Sequence, residues 1–186
     1  MLYSVVGADI DGGHAGRDRG DGIVRHWDYA ARHDILISLP GQLSKPMPDK
    51  IILSVKPIWA DKILSGEKTI ELRRRFMKPL RYPITAYLYS SSPAKALVGV
   101  ATIEDILIGP PEELRVRVQS RACVIEDQYR AYFDGADEAV ALILTAPVRL
   151  GYPISLAELR SFSGFSPPMS WRRIKPPELD LVKGRM

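Results

Sequence analysis

Hydrophobic and polar residues alternate regularly only in the part of the chain that begins near Ile51. Residues 51–55 place apolar side chains on one face of a short strand. Pro57 then opens a helix, because its fixed φ suits a first helical turn, and Gly66 ends that helix in the left-handed conformation that glycine tolerates. The pattern predicts a strand, a short helix and a tight turn.

A second strand is predicted directly after this turn, from Lys68 to Arg75. Successive side chains of a strand point to opposite faces. Ile70 and Leu72 share one face, while Glu71 and Arg73 share the other with Thr69 and Arg75. We therefore expect a half-buried strand, with Lys68 at its mouth and reaching over a cleft.

Further elements follow at short intervals, separated by turn-forming residues. Two strands are joined by the turn Ser90-Ser91-Ser92-Pro93, a double proline starts a helix, and Ser155 with Glu158 forms a capping box. The predicted strands are Ile84 to Tyr89, Ala96 to Ile103 and Ala139 to Ala146, and the predicted helices are Pro110 to Val118, Ala122 to Phe133 and one from Ser155 toward Arg160. At least five short strands with three or four helices predict an α+β domain, a curled or closed mixed and antiparallel sheet with peripheral helices.

Residues 1–48 differ from the rest of the chain. They contain seven glycines, six of them among alternating Asp and Arg in residues 7–22, a composition that packs poorly, and we interpret residues 1–48 as a flexible leader before a domain at 49–186. An alternative is that the natural protein starts near Met47, just before the patterned region, and not at Met1. The three histidines, His14, His26 and His33, lie here beside aspartates, but their spacing fits no zinc pattern, so no metal and no cofactor are expected.

Charge is concentrated in the predicted domain. The chain has 186 residues and a net charge of +4, yet residues 1–49 carry five basic and seven acidic side chains. The remaining residues therefore have a net charge of +6, which favours an anionic partner such as RNA or a nucleotide. The oligomeric state is left open.

The apolar runs of the chain are strand-sized and shorter than the roughly 20 residues of a membrane-spanning helix. No segment has the pattern of a secretion signal, and the single cysteine, Cys123, cannot form an internal disulfide. A cytoplasmic protein without a membrane partner is expected.

Two basic clusters are candidate RNA- or ligand-binding surfaces. Arginine binds phosphate oxygens in a bidentate manner, and nearby tyrosines can stack on bases. The first cluster comprises Arg73, Arg74, Arg75, Lys78 and Arg81, with Tyr82, Tyr87 and Tyr89 nearby. The second comprises Trp171, Arg172 and Arg173, followed by Lys175. The alternatives are solvated arginines, and aromatic side chains that pack in the core.

The residues Gly66, Lys68, Glu71 and Arg73 fit the pattern G-x-K-x-x-E-x-R. This motif resembles the signature of the activating signal cointegrator homology (ASCH) family, a branch of the pseudouridine synthase and archaeosine transglycosylase (PUA)-like β-barrels. The similarity extends over roughly residues 50–180 and includes the stretch Pro167-Pro168-Met169-Ser170-Trp171. The resemblance implies a small barrel with a cleft beside the motif that binds RNA or a modified nucleoside.

The resemblance leaves three functions open. The first is an RNA- or nucleotide-binding protein, acting as a regulator, that binds through Lys68, Glu71, Arg73 and the basic rim. The second is a metal-independent hydrolase, because relatives include ribonucleases and an acetylated-cytidine amidohydrolase in which the motif Lys is catalytic. In that amidohydrolase a Thr works with the Lys, whereas Glu71 stands three residues after Lys68 here. The third is a protein-interaction module.

A titrating Lys68 faces a physical obstacle. To be half neutral at pH 7, a lysine pKa must fall by about 3.4 units, which is on the order of 4.6 kcal/mol of differential destabilisation of the charged form. Glu71 opposes that shift and the arginines assist it. An ion pair between Lys68 and Glu71 that shapes the cleft needs no such shift.

Overall fold

A computed structural model describes residues 48–76 and 82–186, together with the backbone of a short strand, β1, at Val24–Arg25. The expected leader, apart from β1 and residue 48, lies outside the described residues, as does Met47. The flexible character of the leader stays a prediction.

The elements alternate between short helices and strands of very different length. The other strands are β2 Lys50–Val55, β3 Ile70–Arg73, β4 Ile84–Ser90, β5 Ala96–Gly109, β6 Ala139–Ser155 and β7 Trp171–Arg173. The helices are α1 Pro57–Leu64, α2 Pro111–Ala122, α3 Glu126–Phe133, α4 Leu156–Ser163 and α5 Pro176–Lys183. None of these helices combines the length and apolar character needed to cross a membrane.

The strands form one curled, mixed sheet in the order β3-β6-β5-β4-β2-β7, and β1 pairs with β5. β2 and β4 run parallel, whereas the other neighbours are antiparallel. The sheet curls into a half-barrel with helices around it, so the expected α+β, PUA-like fold class is confirmed.

The two faces of the sheet are covered by different helices. One cluster joins Ile51 and Leu53 of β2 with Ile63 of α1 inside the curl, and a second packs α2 and α3 on β3. Helix α1 approaches β5 so closely that a Cβ atom at Gly99 would lie 2.4 Å from the Leu64 side chain. The same Cβ atom would lie 2.6 Å from the Val148 carbonyl oxygen, and because backbone cannot move aside as a leucine side chain can, only glycine fits here.

Several predicted elements have different bounds. β5 and β6 continue well past Ile103 and Ala146, because the two strands pair along almost their whole length, with register shifts that bend the sheet. α3 begins at Glu126 instead of Ala122, because Cys123 has a positive φ of 55° that ends α2. β7 and α5 were not predicted.

The prediction that β3 is half buried is wrong. All four residues of β3 are buried. Ile70 and Leu72 pack under α2 and α3, while Glu71 and Arg73 form an ion pair away from solvent. On this polar face Arg73 donates to the Ser54 carbonyl oxygen of β2, near the opposite end of the sheet.

Candidate functional site

The charged residues of the motif are buried together. Gly66, with a φ of 81°, reverses the chain after α1 and brings Lys68 to the start of β3. Lys68 is 2% exposed, Glu71 6% and Arg73 8%. Charged side chains are rarely so buried unless they are paired, and all three are paired here.

The Lys68 ammonium is held at the end of α2. The sequence had suggested that it reaches over an open cleft, but Lys68 is buried in the structure. Its Nζ donates to the carbonyl oxygen of Ala122, the last residue of α2, at 2.6 Å. Nζ also lies 3.4 Å from Glu71 Oε2 and 5.0 Å from the centre of the Trp59 ring. A cation at a helix C-terminus is favoured by the helix dipole, so Lys68 fixes α2 to the motif.

The protonation of Lys68 depends on opposing effects. Burial lowers the pKa of the Lys68 ammonium, the Glu71 carboxylate opposes that change, and the Arg73 charge adds to it. The hydrogen bond to the Ala122 carbonyl requires a donor at Nζ. These contacts match the expected ion pair between Lys68 and Glu71.

Arg73 connects the motif to the opposite end of the sheet. Its Nη2 lies 3.0 Å from Glu71 Oε1 and donates to the Ser54 carbonyl oxygen at 2.7 Å. Its Nη1 donates to Ser170 Oγ at 3.3 Å. Arg73 Nε is the one buried side-chain nitrogen or oxygen without a hydrogen-bond partner in the described part of the chain.

Ser170 and Ser54 belong to a row of residues that crosses three neighbouring segments. The Ser54 backbone N–H donates to the Ser170 carbonyl oxygen at 2.9 Å, where β7 approaches β2. Ser54 is also the register partner of Tyr89 on β4. Tyr89, Ser54 and Ser170 therefore lie side by side at one end of the sheet, and Arg73 contacts two of them.

Tyr89 presents an unpartnered hydroxyl in this row. Its ring packs against Phe165, with 5.5 Å between the ring centres, and the residue is 3% exposed. No hydrogen bond to its hydroxyl exists among the described residues, yet this oxygen is not among the buried unpartnered atoms. It therefore keeps contact with solvent. Burial raises the pKa of Tyr89, whereas Arg160 acts weakly in the other direction, so the hydroxyl stays protonated at neutral pH.

Lys95 supplies an exposed cation near the same end of the sheet. It lies in the turn between β4 and β5, and its backbone N–H donates to the Ser91 carbonyl oxygen at 3.1 Å. The Ser91 N–H in turn donates to Val55, the last residue of β2. Lys95 has a φ of 48°, a conformation that is uncommon for residues other than glycine and is enriched at functional sites.

The rest of the first basic cluster is only partly described. Arg74 and Arg75 are both exposed, and Arg74 Nη2 donates to the Asp134 carbonyl oxygen at 2.8 Å. Lys78 and Arg81 lie outside the described residues. Of the three tyrosines, Tyr82 packs against the hydrophobic cluster inside the curl. Tyr87 is buried in a third cluster, which includes Leu159 of α4, so both side chains contribute to packing.

The second basic cluster is mainly engaged in packing and ion pairs. The Trp171 ring packs on Phe76, with 5.2 Å between the ring centres. Arg172 forms a bidentate ion pair with the fully buried Glu178, through bonds of 2.8 and 2.7 Å. Arg173 is more exposed and pairs with Asp49.

Sequence reasoning assigned no role in the site to Ser54, Ser170 or Lys95. The Pro-Pro-x-Ser-aromatic stretch pointed toward Ser170, but nothing local marks Ser54. The described residues contain no group of three or more His, Cys, Asp or Glu side chains that could hold a metal ion.

No family model matches the chain. An ASCH domain-containing ribonuclease of Zymomonas mobilis is 36% identical over 134 residues, which cover 68% of this chain and 88% of that protein. The crystal structure of ASCH from Z. mobilis has 31% identity and a TM-score of 0.68, and the match covers 73% of this chain and 94% of that one.

Two variants of the Z. mobilis protein are equally similar in structure. One, with a tyrosine replaced by phenylalanine, has a TM-score of 0.69 at 31% identity, covering 73% of this chain and 97% of that one. The other, with a serine replaced by alanine, has a TM-score of 0.68 at 30% identity, covering 74% and 98%. Sequence and fold agree over the same domain, and this chain therefore belongs to the ASCH domain family.

Proposed function

We propose that this chain binds single-stranded RNA and cleaves it at the end of the sheet where Tyr89, Ser170 and Lys95 lie. The observation that carries the proposal is the 36% identity to a protein named a ribonuclease, over 88% of that protein. The positive charge of the domain suits a polyanionic substrate.

The two variants of the Z. mobilis protein support this location. They change a tyrosine and a serine that lie 81 positions apart, and Tyr89 and Ser170 have the same separation. Tyr82 and Ser163 share the spacing too, but the Ser163 hydroxyl donates to the Leu159 carbonyl in α4 and Tyr82 packs inside the curl. Tyr89 and Ser170 are instead both neighbours of Ser54.

The three side chains can act by hydrogen bonding and charge. A phosphodiester gains negative charge during cleavage, and donors fixed in advance stabilise that charge. The Tyr89 hydroxyl remains protonated and can donate. The Ser170 oxygen accepts from Arg73, which leaves its own O–H to donate. Lys95 adds a positive charge. As the oxygen of an RNA 2′-hydroxyl or of water bonds to phosphorus and releases its proton to solvent, the bond from phosphorus to the leaving oxygen breaks, and that oxygen takes up a proton from solvent.

The motif then acts as support. Lys68 and Glu71 fix Arg73, and Arg73 orients Ser170 through a 3.3 Å hydrogen bond. This arrangement gives less support to an acetylated-cytidine hydrolase, since a catalytic Lys68 would first have to leave the Ala122 carbonyl and the Glu71 carboxylate.

Cleavage of a 5′-labelled single-stranded RNA, followed on a gel, tests the proposal. Wild-type protein should produce fragments, and Ser170→Ala should slow cleavage at least about tenfold, because one oriented donor is lost. Ser166→Ala is the matched control, an exposed serine four residues earlier, and should cleave as the wild type does. Binding without any product would leave the RNA-binding regulator as the function. A chain that neither binds nor cleaves RNA would refute both.

A further inference from the structure

Tyr132 is an exposed aromatic residue beside the buried motif, in the last turn of α3. It is 43% exposed. Its ring meets the ring of the buried Phe133 nearly edge to face, at 4.8 Å between the centres and an angle of 77°. A buried neighbour of this kind restricts the orientation of the exposed ring.

The hydroxyl of Tyr132 lies within electrostatic reach of the motif strand. The charges of Arg73 and Glu71 and the backbone N–H of Arg74 all act on the pKa of this hydroxyl. Burial is the main cause that raises the pKa of Tyr132, although much of the residue is exposed. With 43% of the residue exposed, the Tyr132 side chain still offers surface to a ligand.

A cation is fixed just beyond Tyr132, at the end of α3. The Arg74 guanidinium is fixed on the Asp134 carbonyl oxygen, two residues after Tyr132, at 2.8 Å. On the other side, Arg73 reaches Ser170. Contacts of the neighbouring residues Arg73 and Arg74 thus connect Ser170 with the end of α3 that carries Tyr132.

The groove on the far side of Phe133 is a less suitable RNA site. It measures about 460 Å³ and is lined by Pro110, Glu112 and Asp134, among other residues. Its carboxylates repel phosphate, and the Arg130 guanidinium is neutralised by Glu112 and Glu126. The Tyr132 ring, two residues before the Asp134 carbonyl that holds Arg74, is the better neighbour for a polyanion.

We infer that Tyr132 is a stacking platform for one base of a single-stranded RNA whose phosphate lies at Ser170. The inference rests on the proposed function and specifies a substrate contact. A rigid aromatic ring beside a cation is the arrangement with which proteins hold unpaired bases, and stacking tolerates every base because each has a flat π face. Tyr132 binds substrate and takes no part in bond cleavage.

A set of RNA oligonucleotides, each with one base removed at a different position, tests this contact. With wild-type protein, removal of the stacked base should weaken binding by about 5-fold to 150-fold. Tyr132→Leu should show the same loss with intact RNA, and no further loss when that base is removed. Tyr132→Phe keeps the ring and should retain affinity. Tyr152→Leu, a change at another exposed tyrosine, is the control and should bind as the wild type does.

The outcomes separate this inference from the proposed function. If wild-type protein binds and cleaves RNA while Tyr132→Leu has wild-type affinity for every oligonucleotide, the platform is refuted and the proposed function stands. Equal losses for Tyr132→Leu at all abasic positions would also refute base stacking. Tyr132→Leu that loses affinity for another protein and not for RNA would make the ring a protein contact.

Discussion

The Arg73 guanidinium donates to the Ser54 carbonyl oxygen at 2.7 Å, and thereby joins β3, at one end of the sheet order, to β2 near the other end. The same guanidinium neutralises Glu71 and orients Ser170. One buried side chain therefore links closure of the half-barrel to the row of hydroxyl groups. The motif residue that the sequence assigned to RNA binding is buried and paired with Glu71 in the structure.

Arg73→Met should destabilise the protein strongly. The change leaves the Glu71 carboxylate buried with only Lys68 as its partner, and breaking a buried ion pair costs about 3 kcal/mol or more. Urea unfolding measures this loss. Arg75→Met, at an exposed position two residues later, is the control and should change the free energy of unfolding by less than about 0.5 kcal/mol. Equal stability of the two variants would contradict a supporting role for Arg73.

Local signals in the sequence predicted the elements that depend on local contacts. Ser155 and Glu158 predicted a helix start, and the Ser155 hydroxyl does accept the Glu158 N–H at 3.2 Å. Gly66 likewise predicted the end of a helix in the left-handed conformation, and it has a positive φ. These features depend on only a few neighbouring residues, so the local sequence is enough to predict them.

Arg172→Met should destabilise the protein in a pH-dependent way. Burial by itself raises the pKa of Glu178, but the Arg172 guanidinium and the Lys175 backbone N–H outweigh burial and lower it. Because the folded pKa is lowered, ionised Glu178 stabilises the fold above its usual pKa of 4.5, and this stabilisation is lost as the pH falls through the folded value.

The difference in unfolding free energy between wild type and Arg172→Met should be about 3 kcal/mol at pH 7 and should shrink below pH 4.5. Urea titrations at several pH values measure it. A variant that keeps its stability but loses RNA affinity would instead place Arg172 at the RNA surface, as the sequence suggested.

Lys95→Gln should weaken RNA binding and reduce its dependence on salt. Each phosphate contact releases about one counterion, so loss of one contact lowers the slope of log affinity against log salt by roughly 0.7 to 1. Titrations between low and moderate salt measure the slope. Lys183→Gln, at an exposed position in the last turn of α5, should leave the slope unchanged. An unchanged slope for Lys95→Gln would remove this lysine from the site.

Deletion of residues 1–47 should leave the domain folded. Among the residues removed, the structure describes only the two of β1, which pair with Leu107 and Ile108 of β5. We expect cooperative thermal unfolding at a temperature within a few degrees of the full chain. Loss of a cooperative transition would show that the leader belongs to the core.

The site itself could not be predicted from local pattern, because its contacts join distant parts of the chain. Arg73 and Ser170 are 97 residues apart, and Ser54 and Pro168 are 114 apart. β7 has three residues and depends on pairing with β2 and on the Trp171 contact with Phe76. Periodicity assigned Glu71 and Arg73 to one polar face, but only the curl of the sheet decides that this face is buried.

The central claim is that the hydroxyls of Tyr89 and Ser170 meet the RNA, while Lys68 supports the site from within. It is tested most directly by the single-turnover cleavage rate, at saturating enzyme and per folded molecule, of Tyr89→Phe and Lys68→Arg. Tyr89→Phe should unfold within about 1 kcal/mol of wild type and cleave at least about tenfold more slowly, because only an unpartnered hydroxyl is removed. Lys68→Arg should be less stable, because a larger cation is buried against Ala122, yet cleave at close to the wild-type rate when folded. Wild-type cleavage by Tyr89→Phe, together with an inactive but stable Lys68→Arg, would contradict the claim.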